Sequence, residues 1–257
     1  MPRRPNSPPE FEAQPLRGGY HCRVNDAVTF FAGRFAAVGK PERARYERAY
    51  MKSTLRFHGV DAATIRAACA DFVKQRALDH DPLVAVVDAL YATDWFDLHS
   101  AAVGVLERRR KLLGPDDAAW LIGLVRASAC WAHVDWIATK LVPHALPDKP
   151  GALLRTWARD DDFWVRRTAL LAQLDALRAG GGDFALLAEL AVPMLPEKEF
   201  FIRKAIGWVL RDTSRKRPRL VHRFVIEHRA QMSGLTLREA TRRLPDAMRR
   251  QLARGPA

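Results

Sequence analysis

The sequence predicts an all-α fold, an α-solenoid of antiparallel helix pairs curved around a basic concave groove, and three observations predict it. Alanine, leucine and arginine, all strong helix formers, dominate nearly everything after about residue 26. Proline or glycine recurs at intervals suited to helix–helix turns. No alternating β-branched run bounded by hairpin turns interrupts the pattern, so no sheet is expected.

Taken in order, the chain opens with "MPRRPNSPPEFEAQPLRGG", which lacks the apolar core of a signal peptide and reads as a flexible, Pro-rich arm over residues 1–25. Residues 26–257 then read as one helical-repeat domain, punctuated by "VGKP", "LDHDP", "LLGPDD", "LPDKPG", "RAGGGD", "MLPEKE" and "SRKRP". Four segments between these turns overlay: "WFDLHSAAVGVL", "WAHVDWIATKLV", "DFWVRRTALLAQL" and "EFFIRKAIGWVL". Their apolar anchors Leu98, Val134, Val165 and Ile202 are spaced 36, 31 and 37 residues apart. The last two share an acidic–aromatic–(Val/Ile)–Arg–basic opening, the way an inner helix of a HEAT-type repeat commonly begins. An irregular bundle with shared amphipathicity would look similar. In a solenoid the second helix of each pair lines the concave surface, so function is sought there.

Charge limits the partners. The 257 residues carry a formal net charge of +13, which points first to nucleic acid and second to an anionic membrane surface. No apolar run has the length to cross a bilayer. Cys22, Cys69 and Cys130 are scattered, and the eight histidines show no ligand spacing, so neither a metal nor a cofactor is expected. A monomer in a reducing cytoplasm fits. The "GGG" at 180–182 reads as a turn and not as a phosphate loop, and the run "ERRRK" at 107–111 falls at a helix C-terminus, where cations suit the dipole, with contact to nucleic acid as the alternative.

Helical spacing sorts three helices into faces. On the last, Ile202, Ala205, Ile206 and Val209 form a core stripe. Opposite lie Phe201, Lys204, Trp208, Arg211 and Arg215, a mix of cations and flat rings that suits phosphate, sugar and base, or else packs against a neighbour. On "FWVRRTALLAQLDAL", Arg167 falls inside the apolar stripe of Phe163, Leu170, Leu171, Leu174 and Leu177. A buried guanidinium is costly alone, so Arg167 either pairs with a carboxylate or reaches out toward an anion. On "CWAHVDW", Trp131 and Asp135 stand together on the shoulder of the Val134–Ile137–Leu141 stripe. They shape either a charge-sensitive niche or a plain contact in which Asp135 bonds a nearby arginine.

These residues resemble the DNA alkylation-repair glycosylases of the AlkD type over about residues 26–245. The resemblance rests on Tyr50-Met51-Lys52, on "WAHVDWIATKLV" and "DFWVRRTALLAQL", and most specifically on the stretch from Glu197 to Leu244. It implies HEAT-like repeats that grip duplex DNA containing alkylated purines, with no cofactor. It implies that Asp135 is the catalytic carboxylate, Trp131 and Trp208 the active-site tryptophans, and Arg167 a phosphate ligand near the lesion. Lys52, Lys204, Arg211 and Arg215 are the further phosphate-binding candidates. Cys130 and Ala132 depart from the family pattern beside Trp131. The competing expectations are a non-catalytic repeat protein that binds damaged or branched DNA, and a protein–protein scaffold.

Overall fold

The computed structural model describes residues 21–128 and 130–254. Most of the expected Pro-rich arm therefore lies outside the described residues, while residues 21–25 already belong to the first helix. Among the described residues the protein is all-helical, and the single bridge, Arg56 to Trp95, is isolated. No helix is long and apolar enough to cross a membrane among the described residues. The stretch read as one helical-repeat domain divides after Leu112 into two compact units.

The first unit contains α1 (His21–Val38), α2 (Pro41–Met51), α3 (Ala62–Gln75), α4 (His80–Tyr91) and α5 (Phe96–Arg108). Helix α5 is buried from Phe96 through Leu106 because α1, α3 and α4 all pack on it. A buried carboxylate secures its start. Asp97, 1% exposed, accepts the backbone N–H groups of His58 at 2.6 Å and Val60 at 3.2 Å, and so ties the segment before α3 to α5. Helix α2 differs from the rest in having no buried residue.

The second unit contains α6 (Ala118–Ser128), α7 (Trp131–Lys140), α8 (Gly151–Trp157), α9 (Phe163–Leu171), α10 (Leu174–Arg178), α11 (Phe184–Ala191), α12 (Phe200–Thr213), α13 (Pro218–His228), α14 (Gly234–Thr241) and α15 (Asp246–Arg254). Helices α7, α9, α12 and α14 pack on one another in succession, and α6, α8 and α11 pack against α9. The overlaid anchors behave as one equivalent position, since Leu98, Val134, Val165 and Ile202 are all 0% exposed. The acidic residues that open two of the overlaid segments are helix caps: Asp162 accepts the Trp164 N–H at 2.8 Å, and Glu199 the Phe201 N–H at 3.1 Å.

Ion pairs repeat at close to the mean spacing of the anchors. Arg126–Asp160, Arg155–Glu189 and Arg178–Asp212 are each 34 residues apart, and Lys140–Asp175 and Lys204–Glu239 are each 35 apart. Each joins one repeat to the next. Pairs with both partners exposed, such as Arg155–Glu189 and Lys140–Asp175, contribute only about 0–1 kcal/mol apiece, so their effect is on register more than on stability. One element differs from the sequence reading. The helix expected to run through Leu177 breaks at Ala172–Gln173, where the Gln173 side chain donates to the Ala169 carbonyl at 3.1 Å. The separate piece, α10, packs on α12.

The anchor position sets a stability test. Ile202→Ala should lower the unfolding free energy by about 2–5 kcal/mol. Ile226→Ala, at a position 55% exposed, should change it by less than about 0.5 kcal/mol. Urea unfolding followed by circular dichroism compares them, and equal losses would contradict the repeat core.

Candidate active site

Helix α7 begins after the extended Cys130 and turns His133, Val134, Ile137 and Ala138 into the core. Trp131 and Asp135, one turn apart, are left half-buried on its shoulder. Across from them, Arg167 sits among the buried residues of α9 with its side chain 3% exposed. Its guanidinium meets Asp135 as a fork, Nε donating to Oδ1 at 2.7 Å and Nη2 to Oδ2 at 2.8 Å. Nη1 donates to the backbone carbonyl of Phe201, in the first turn of α12. The Phe201 ring lies 5.8 Å from the guanidinium carbon and 4.7 Å, centroid to centroid, from Trp164.

Of the two partners the sequence leaves open for Arg167, the structure contains the carboxylate. A guanidinium has five N–H donors, of which three are used here. An anion arriving from outside finds two, on a side chain that is nearly enclosed. Asp135 keeps more freedom. Its side chain is 16% exposed, and the fork takes about two of the roughly four lone-pair sites of a carboxylate.

A second cluster surrounds Trp208. Lys204 donates to Glu239 Oε1 at 2.6 Å, and Arg211 binds the other oxygen of the same carboxylate. Between them on α12, Trp208 donates its indole N–H to Asp212 Oδ2 at 3.1 Å. Asp212 also accepts Arg178 Nε at 3.0 Å and Nη2 at 2.6 Å, and Arg211 Nε at 3.3 Å. The chain of charges continues through Asp175 to Lys140. Burial pushes the Asp212 carboxyl up, but the Arg178 and Arg211 guanidiniums outweigh it and hold the group below the usual carboxylate range. The Lys204 ammonium, helped by Arg211, does the same for Glu239.

The mixed aromatic–cation face of α12 is thus partly covered, because α14 packs against it. Gly207 permits that approach: a Cβ there would lie 2.6 Å from the Glu239 Cβ and 3.3 Å from the Thr236 carbonyl oxygen. Phe201, Lys204, Trp208 and Arg211 are half-buried, and only Arg215, beyond the end of α12, is exposed. Lys52 belongs to the first unit, where it is exposed and caps α2 in the left-handed conformation (φ 51°, ψ 37°). Glu239 and Asp212 are the residues that reading faces one helix at a time misses. Their signal is the inter-repeat offset, since each lies 34 or 35 residues from a cation it binds.

Among the described residues, no group of three or more His, Cys, Asp or Glu side chains could hold a metal ion. Cys69 and Cys130 are buried free thiols. Burial pushes Cys69 up to about 12 and raises Cys130 as well, so neither is a thiolate nucleophile at neutral pH.

The family described as DNA alkylation repair enzyme matches residues 32–244. Among solved structures, the chain is similar to a predicted DNA alkylation repair enzyme from Enterococcus faecalis. The TM-score is 0.70 and the identity 26%, covering 81% of this chain and 97% of that one. No curated protein matches.

Two outcomes test this geometry. Arg167→Ala strips Asp135 of its partner and should cost about 3–5 kcal/mol of stability, while Arg167→Lys, which keeps the charge but loses the fork, should cost less. Equal losses in urea unfolding would show that the fork geometry contributes nothing. The second outcome concerns acid. The folded Asp212 binds its proton less readily than the unfolded one, so its contribution is complete above the ordinary carboxylate value and is lost as the pH falls through the lowered one. Stability of the wild type should therefore fall more steeply below about pH 4 than that of Asp212→Asn. Parallel pH profiles of the urea midpoint would contradict this.

Proposed function

The chain belongs to the DNA alkylation repair enzyme family, and from that premise we propose that it is a DNA glycosylase hydrolysing the N-glycosidic bond of N3- and N7-alkylated purines in duplex DNA. The observation that carries this reading is the Asp135 carboxylate, fixed by the Arg167 fork, partly open to solvent and one helical turn from Trp131.

An N3- or N7-alkylated purine is cationic and leaves readily. As the C1′–N bond breaks, its electron pair neutralises the base and positive charge passes to the deoxyribose. A carboxylate beside that sugar stabilises the transition state. At about 4 Å and an effective dielectric near 20 the attraction is roughly 4 kcal/mol. A guanidinium on the far side, at about 8 Å, opposes it by roughly 2 kcal/mol. The net, about 2 kcal/mol, corresponds to roughly thirtyfold in rate. Asp135 would also hold the water whose oxygen bonds C1′ and whose proton passes to solvent.

Trp131 and Trp208 would pack against the deoxyribose and exclude bulk water, their π faces favouring a sugar that becomes cationic. The Asp212 bond to the indole N–H fixes the edge of Trp208 in support of that role. Arg167 serves Asp135 as a positioning residue and has two N–H bonds to offer a phosphate. Lys204 and Arg211, sharing Glu239, bring one net positive charge between them, whereas Arg215 and Lys52 are exposed. The protein would act as a cytoplasmic monomer.

Purified protein should release N3-methyladenine or N7-methylguanine from methylated duplex DNA. Asp135→Asn removes the roughly 4 kcal/mol attraction while Arg167 stays, so it should slow single-turnover release by roughly a thousandfold while retaining DNA binding. Unchanged release would overturn the role of Asp135 and leave it as a structural partner of Arg167. Absence of release by the wild type, with DNA binding intact, would favour a non-catalytic binder. Trp208→Ala should lose more rate than affinity; a loss confined to binding would make Trp208 an anchor.

A further inference from the structure

Most cations beside Asp135 and Trp208 are answered by carboxylates within the protein. A different arrangement exists in the first unit, where the C-terminal ends of α3 and α5 border an open cleft of about 660 Å³. Lys74, Arg108, Arg109 and Arg110 line it, together with Glu107, so four cations face one carboxylate and leave a formal +3. Ala70 and Val73 supply an apolar floor. The "ERRRK" run is part of this cleft.

The three arginine heads are held in place by backbone carbonyls, and among the described residues none of them forms an ion pair. Arg108 Nη2 donates to the Arg66 carbonyl at 2.7 Å, Arg109 Nη2 to the Val73 carbonyl at 3.3 Å and Arg110 Nη1 to the Glu107 carbonyl at 2.9 Å. Arg109 Nε is buried with no hydrogen-bond partner. A helix C-terminus alone does not account for the cluster, because its dipole amounts to roughly half a negative charge against a net three positive ones. Backbone carbonyls orient a guanidinium while its remaining N–H groups and its charge stay available, and forked guanidiniums suit the tetrahedral oxygens of phosphate.

We infer that this cleft is a phosphate-binding subsite, separate from the residues around Asp135, that takes the backbone phosphates of a nucleic-acid strand. The strand as source rests on the proposed action on duplex DNA; the phosphate chemistry rests on the cleft alone. Each phosphate neutralised there adds roughly 0.9 to the salt slope of duplex binding.

The test uses the full chain with Lys74→Gln, Arg108→Gln and Arg110→Gln combined, all exposed positions, and leaves Arg109 in place. Binding of an unmodified duplex is followed by fluorescence anisotropy across a salt series, and inorganic phosphate is titrated in a thermal-shift assay. The triple variant should bind at least tenfold more weakly at low salt, with a slope shallower by about 2 or more. Arg155→Gln, whose guanidinium is answered by Glu189, is the control for lost net charge and should keep the slope. An unchanged slope in the triple variant, with phosphate stabilising only the wild type, would overturn the strand as ligand and support a small phosphorylated molecule. Equal slopes and equal phosphate responses would overturn the subsite. If the slope falls but methylated DNA yields no free base, the glycosylase reading fails and the subsite stands.

Discussion

The second unit depends on the Arg167 guanidinium. It is almost fully enclosed, and enclosing a charge costs several kcal/mol unless each polar edge is answered. The two carboxylate oxygens of Asp135 and the carbonyl of Phe201 answer it. Because these partners stand on α7 and α12 while the arginine stands on α9, one desolvated side chain fixes three successive helices relative to one another. A shift of either outer helix would strand a buried charge. The carboxylate at the centre of the proposed chemistry is therefore placed by the same contact that sets the packing.

The +13 of the whole chain gives a poor picture of the charge around Trp208. Around Trp208, the cations Lys140, Arg178, Lys204 and Arg211 alternate with Asp175, Asp212 and Glu239. Alternation keeps the local charge close to zero, which would suit the proposed reaction, in which positive charge develops on a bound sugar. A dense field of free cations there would oppose that development. Unanswered cations are more useful away from the reacting bond, where they can hold a strand without raising the barrier.

Fold and anchors were legible in the sequence because helix periodicity and repeat spacing are local signals. Leu98, Val134, Val165 and Ile202 could be aligned by eye, and the Pro- and Gly-bearing turns fall at helix ends. Arg167 was legible as a problem, a charge inside an apolar stripe, but spacing within α9 could not say which answer α7 would supply. Spacing along α12 leaves its aromatic–cation face open to either a ligand or a neighbouring helix, because reading one helix at a time contains no neighbour. Glu239 covers it from 35 residues away, and Gly207, which admits that neighbour, looks like any other helical glycine until the Cβ distance is known. The break at Ala172–Gln173 is not legible either, because "LLAQLDAL" is a run of good helix formers with no proline or glycine in it.

The fork also bears on which role Asp135 can take. To act as a nucleophile, one carboxylate oxygen would have to become an ester oxygen on C1′. Both oxygens are bound by the same enclosed guanidinium, so ester formation would weaken a charge-assisted bond and leave Arg167 partly unanswered, at a cost approaching the about 3–5 kcal/mol of breaking a buried pair. Holding a water needs only a lone pair that the fork does not use. Stabilising a nearby sugar cation needs only that the charge remain where it is. In the proposed reaction Asp135 would therefore act by its field and by orienting water and not by attack, and the clamp that would halve its electrostatic effect would also keep it out of a covalent detour.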